Sequence, residues 1–196
     1  MKRPRVAIIV GHYGRGTGAR YPVDAELVGD PVAVRDEWTL ASHYAIALYR
    51  ELARDKLLSP TVFSVDRDTV PWRLFDLSSR STLDIKLRWI DLVDPDAVVE
   101  CHYNSFGDER VAGNEVVVPK NDEFAKCMAG AFSALPNPNR STKVMSLKIF
   151  RSRKPTVVLE PAFLAEKIIE SARWVPMVAV AAKQGLYKYF GKDSGL

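Results

Sequence analysis

Short runs of apolar and β-branched residues recur along the chain, separated by longer segments of helical spacing. Arg5–Val10, Thr61–Val65, Ala97–Cys101, Glu115–Val118 and Thr156–Leu159 are five such runs, with a weaker sixth at Leu147–Phe150. Most are continuously apolar rather than alternating, which suits a sheet covered on both faces. Strands that alternate with helices point to an α/β domain with a largely parallel sheet. Between them, Glu37–Lys56 places Leu40, Tyr44, Ala47, Leu48 and Leu52 along one helical stripe and stops at Ser59-Pro60. Thr82–Val93 carries Leu83, Leu87, Ile90 and Val93 on one face, with Ser81 or Thr82 as the cap and Asp94-Pro95 as the stop. Further helices are predicted over Asp122–Leu135 and Arg173–Phe190, with a short one near Phe163–Ser171. Gly14–Val34 reads as a long irregular loop, of the kind that tends to be functional, and Pro136–Arg140 as a turn-rich connector.

Length and composition narrow the function. A chain of 196 residues suits one domain, so 1–196 is expected to be a single unit with no separate binding module. At 47% hydrophobic and 27% charged it has the material for an ordinary core. No apolar stretch approaches the ~20 residues of a membrane-spanning helix. The basic start at Lys2, Arg3 and Arg5 is followed by an apolar run cut at Gly11-His12, too short for a Sec-type export signal. The net charge of +4 favours an anionic partner, but no block of basic residues interleaved with aromatics implies nucleic acid. Cys101 and Cys127 form no Cys-x-x-Cys pair and read as buried free thiols.

Two of the three histidines occupy comparable places. His12 follows the first strand through Gly11, and His102 directly follows the strand Ala97–Cys101. Sites in open α/β sheets form at the carboxyl ends of strands, so the pair suggests a shared metal or catalytic site. A catalytic zinc takes three protein ligands and keeps a position open for water. Glu37 is one candidate for the third ligand, with a helix-start carboxylate as its ordinary reading. Glu160 ends an apolar strand, where a carboxylate is costly unless paired or used. It reads either as a general base or as a salt-bridge acid with Arg151 or Lys154. Glu100 lies two residues before His102 on the same strand face, placed to orient a histidine or replace another ligand. His43, six residues beyond Glu37, points to a different helix face and is set aside. Spacing alone leaves these roles open.

Four segments in order resemble the zinc-dependent N-acetylmuramoyl-L-alanine amidases of the cell-wall group called Amidase_3. They are Ile8-Ile9-Val10-Gly11-His12-Tyr13-Gly14, similar to the family's Gly-His-Gly-Gly strand end; Asp36-Glu37 opening a long helix; Val98-Val99-Glu100-Cys101-His102-Tyr103-Asn104-Ser105; and Pro155-Thr156-Val157-Val158-Leu159-Glu160-Pro161-Ala162-Phe163-Leu164. Asn114-Glu115-Val116-Val117-Val118 resembles the strand that follows the second histidine, and the likeness runs from about Arg5 to Phe190. Tyr13 stands where a glycine is usual, the segment from His12 to Glu37 is longer than the family norm, and Pro161-Ala162 replaces a Gly-Phe or Pro-Gly-Phe.

The resemblance implies a single mixed, mostly parallel twisted sheet of about six strands with helices on both faces. It implies one Zn2+ held by His12, Glu37 and His102, with Glu26 as the second candidate for the acidic ligand, and Glu160 as catalytic acid/base. The substrate it implies is peptidoglycan, cut between N-acetylmuramic acid and L-alanine. Asn104 and Ser105 read either as groove residues or as simple strand-end caps, and Arg80 either as a groove residue that meets a stem-peptide carboxylate or as a solvated helix-face charge. No nucleic acid, membrane or second subunit is expected. Synthesis in the cytoplasm without an export signal fits a phage lysis enzyme or a mother-cell enzyme, reaching the wall through holin-type release or lysis. The competing readings are a zinc peptidase or deacylase on a soluble acyl-amino acid, and an inactive wall-binding protein.

Overall fold

A computed structural model describes residues 2–12, 20–22, 34–64, 82–105 and 110–192. Its centre is a six-stranded sheet built from β1 (Arg5–Val10), β4 (Ser59–Phe63), β5 (Ala97–Cys101), β6 (Asn114–Val118), β7 (Asn139–Val144) and β8 (Thr156–Glu160), in the order β4-β1-β5-β8-β6-β7. β4, β1, β5 and β8 run parallel, while β6 pairs antiparallel with β8 and parallel with β7. The sheet is therefore mixed and mostly parallel. The carboxyl ends of β1, β5 and β8 meet the start of β6 along one edge.

β1 and β5 carry apolar residues at successive positions because both faces are covered. Val6, Ile8, Val10, Val99, Val157 and Leu159 enter a large core beneath α1 (Glu37–Asp55), α3 (Glu123–Phe132) and α4 (Trp174–Tyr189). Ala7, Ile9, Val98, Val117 and Val158 face the other way, onto a smaller core under α2 (Thr82–Val93) and the 3-10 helix Lys148–Ser152. Asp36 caps α1, accepting hydrogen bonds from the Thr39 amide at 3.1 Å and the Thr39 hydroxyl at 2.6 Å. That cap sets where the helix begins and so where Glu37, its first residue, stands. No described helix is long and apolar enough to cross a membrane.

Four expectations change. Leu147–Phe150 is no strand: its apolar residues enter a 3-10 helix, with Ile149 buried in the smaller core. An apolar run this short does not distinguish a strand from a helical turn. The sixth strand is β7, which begins inside the expected connector Pro136–Arg140. It is an exposed edge strand of sequence Asn-Arg-Ser-Thr-Lys-Val, so burial left no apolar pattern to read. Within the expected loop Gly14–Val34, β2 (Arg20–Pro22) pairs antiparallel with β3 (Val34–Asp36). The strand expected at Thr61–Val65 starts earlier, at Ser59, and Val65 lies outside the described residues.

Candidate metal centre

β1 and β5 are neighbours in parallel register, with Val10 opposite Cys101, so the residues that follow them emerge side by side. The Gly11 amide donates to the Cys101 carbonyl at 2.8 Å. A Cβ on Gly11 would stand 2.6 Å from both Cε1 and Nε2 of His102, so the absence of a side chain is what admits the ring. His12 then takes a left-handed φ of 56°, a conformation that concentrates at functional sites. On the other side of β5, the His102 amide donates to the Leu159 carbonyl of β8 at 3.0 Å, which brings Glu160 to the same edge.

Glu37 closes the group from α1. Its Oε1 lies 2.9 Å from His12 Nε2 and 2.9 Å from His102 Nδ1, and the two imidazole centroids are 4.9 Å apart at 70°. One ligand atom from each of the three residues lies within 4.8 Å of the others. The carboxylate is buried at 4% exposure, whereas the His12 and His102 side chains keep 28% and 19%, so the group has a closed floor and an open side. Burial works against the charge of Glu37, but hydrogen bonds from His102 and then His12 outweigh it and hold its carboxyl well below the ordinary range. For His102 burial again opposes the charge, and Glu100 and Glu37 together push its pKa up to about 9. Two imidazole nitrogens and a carboxylate oxygen facing one point are a donor set that fits zinc.

Glu160 differs from Glu37 in having little to support its charge. Burial pushes its pKa up to about 7; His102 pulls it down and Glu115, directly opposite in the antiparallel register, pushes it up. Glu115 is itself held by Arg140 and more distantly by Lys143 Nζ at 3.6 Å. A carboxyl near neutrality beside a metal-binding group has the properties of a general acid/base.

The family model described as N-acetylmuramoyl-L-alanine amidase, Amidase_3, matches residues 6–186, a span that contains His12, Glu37, His102 and Glu160. The chain belongs to that family. The fold of this amidase is similar to that of the N-acetylmuramoyl-L-alanine amidase from Clostridium difficile 630, with a TM-score of 0.78 and 18% identity over 98% of this chain and 99% of that one. It is also similar to the catalytic domain of CwlV, the amidase of Bacillus (Paenibacillus) polymyxa var. colistinus, at TM-score 0.75 and 17% identity over 96% and 99%. A third likeness is to the catalytic domain of the CD27L endolysin targeting Clostridia difficile, at TM-score 0.70 and 19% identity over 97% and 99%. No curated protein matches the chain.

Of the residues singled out in the amidase sequence, His12, Glu37 and His102 come together and Glu160 joins their edge. Asn104 is half-buried just beyond the end of β5. Its backbone bridges to Ala162 and Leu164 at 3.0 and 2.9 Å, and its side-chain amide donates to Glu115 at 3.4 Å, tying β5 to the turn after Glu160. Ser105 is exposed, and His43 is exposed on α1 away from the group. Glu26, Arg80 and Tyr13 lie outside the described residues. Lys154, weighed as a partner for Glu160, instead pairs with Asp94. Two supports were not anticipated. Glu166 accepts from the amides of Phe163 and Gly113 at 2.7 and 2.9 Å, fixing the turn that follows Glu160. Lys86, on the inward face of α2, is buried against Glu100 with Nζ 2.8 Å from Oε1; its position three residues from Leu83 on the apolar stripe was the available signal.

Proposed function

We propose that this amidase is a zinc enzyme that hydrolyses the amide bond between the lactyl group of N-acetylmuramic acid and L-alanine in peptidoglycan. The observation that carries the reading is the convergence of His12 and His102 on one buried oxygen of Glu37, each at 2.9 Å, beside Glu160. His12, Glu37 and His102 would hold the metal. When bound, zinc supplies Lewis acidity toward the amide carbonyl and makes a water more acidic.

The remaining work falls to the protein. The Glu160 carboxylate accepts a proton from the attacking water and returns it to the amide nitrogen as the C–N bond breaks, giving the stem-peptide amine and the lactyl carboxylic acid, whose remaining proton passes to the amine so that the products leave as ammonium and carboxylate. A pKa pushed up to about 7 suits a group that must take and give a proton in one cycle. Glu115, fixed by Arg140 and Asn104, keeps a second negative charge opposite Glu160 and so sustains its proton affinity. The net charge of +4 favours the anionic wall.

Mass spectrometry of the soluble products from purified peptidoglycan, with and without a zinc chelator, tests this. Chelator-sensitive release of intact stem peptides that begin with alanine is expected. Peptides cut elsewhere would instead identify a peptidase, and no release from protein carrying one zinc per chain would overturn the reading.

A further inference from the structure

The reaction outlined above assigns no part to Glu100, although it is among the most deeply placed charges in the sheet. It stands on β5 between Ile9 of β1 and Val158 of β8 in register, at 4% exposure. Its two oxygens have different partners. Oε1 accepts from Lys86 Nζ at 2.8 Å, and Lys86 is itself 4% exposed. Oε2 lies 3.6 Å from His102 Nε2, within ion-pair range. The opposite nitrogen of the same ring, Nδ1, faces Glu37 at 2.9 Å.

Taking a lysine and a glutamate out of water costs more than two apolar side chains would, so stability does not account for this pair. Orientation does. A histidine that ligates a metal carries its proton on the other nitrogen, and an acceptor placed there selects the tautomer and fixes the ring. Lys86 neutralises Glu100 from the α2 side, so the carboxylate can face a neutral imidazole without becoming an unpaired buried charge. Gly11 admits the ring to this position from the β1 side.

We propose that Glu100, locked by Lys86, is a positioning residue that holds Nε2–H of His102 toward the sheet and leaves Nδ1 free for the metal. This rests on the metal reading of the His12, Glu37 and His102 group.

The test compares the unsubstituted protein with Glu100→Gln and with Lys86→Met/Glu100→Gln. Zinc affinity is measured by competition with a chromophoric chelator, ligand geometry by the visible spectrum of the cobalt-loaded protein, and the His102 tautomer by imidazole nitrogen NMR of the zinc form. The expected result is Nε2–H on His102 in the unsubstituted protein, with zinc binding weakened about 10–100-fold and an altered cobalt spectrum in Glu100→Gln. If that variant does not fold, the double variant, which removes both charges together, is expected to show the same losses. Unchanged zinc affinity and cobalt spectrum in a folded variant, with only a lower melting temperature, would overturn the proposal. So would a His102 protonated on Nδ1 in the zinc form. Unsubstituted protein that takes up neither zinc nor cobalt would overturn the metal reading itself, a failure visible without any variant.

Discussion

Gly11 and the imidazole of His102 touch so closely that a methyl group on the glycine would stand 2.6 Å from two ring atoms, with the Cys101 carbonyl at 2.7 Å. Neither neighbour is the loose end of a flexible side chain. Gly11→Ala is therefore expected to displace the His102 ring or to part β1 from β5. Zinc affinity should fall by at least about tenfold, and thermal unfolding should come earlier by an amount reflecting about 1–3 kcal/mol of overpacking. Calorimetry of metal-free and zinc-loaded protein checks both effects.

Glu160 makes the metal-free protein sensitive to pH in a defined direction. Its folded pKa of about 7 lies above the ordinary 4.5, so the folded state binds the extra proton. Below pH 4.5 there is no penalty; as pH rises to about 7 the buried carboxylate must ionise and stability is lost. Glu160→Gln removes that penalty. With chelator present, the variant should be the more stable protein above pH 7, by about 1–3 kcal/mol, and the advantage should shrink toward pH 4.5. Denaturant titrations across this range decide it. The same variant should lose nearly all amidase activity while still binding zinc.

His102 couples metal uptake to protons. Its pKa, pushed up to about 9 by Glu100 and Glu37 against the effect of burial, means that zinc must displace a proton below that pH. Apparent zinc affinity should rise on the order of tenfold per pH unit between pH 6.5 and about 9, then level off. Proton release measured calorimetrically in buffers of different ionisation enthalpy is the check.

The cap of α1 is expected to matter twice. Asp36→Ala removes the acceptor of the Thr39 amide and hydroxyl, which should cost about 1 kcal/mol in thermal or chemical unfolding. Because Glu37 is the next residue, fraying of the first turn should also weaken zinc binding, whereas a cap lost elsewhere, as in Asp122→Ala on α3, should lower stability alone.

The parts of the fold that could be read beforehand are those where burial writes a pattern. β1, β5 and β8 are covered on both faces and their apolar runs mark them within a residue. β7 has no such pattern because it is exposed, and Leu147–Phe150 misleads because a buried helical turn and a buried strand look alike over four residues. For the site, His12, His102 and Glu160 were visible as polar residues that end apolar strands. Glu37 needed the family resemblance, since a carboxylate opening a helix has an ordinary explanation. Lys86 and Arg140 were hidden for separate reasons: a lysine on an apolar stripe looks like its solvated margin, and Arg140 belongs to the strand that left no signal.

β7 also governs how far the sheet can extend. Its residues bond to β6 on one side, its pairing shifts register between Asn114 and Val116, and Ser141 turns to a φ of 66°. A second chain adding a strand there would have to cover Lys143 and Arg140, whose charges serve Glu115, and match an irregular edge. The polarity that concealed this strand thus acts as a guard against edge-to-edge aggregation, ending the sheet at six strands.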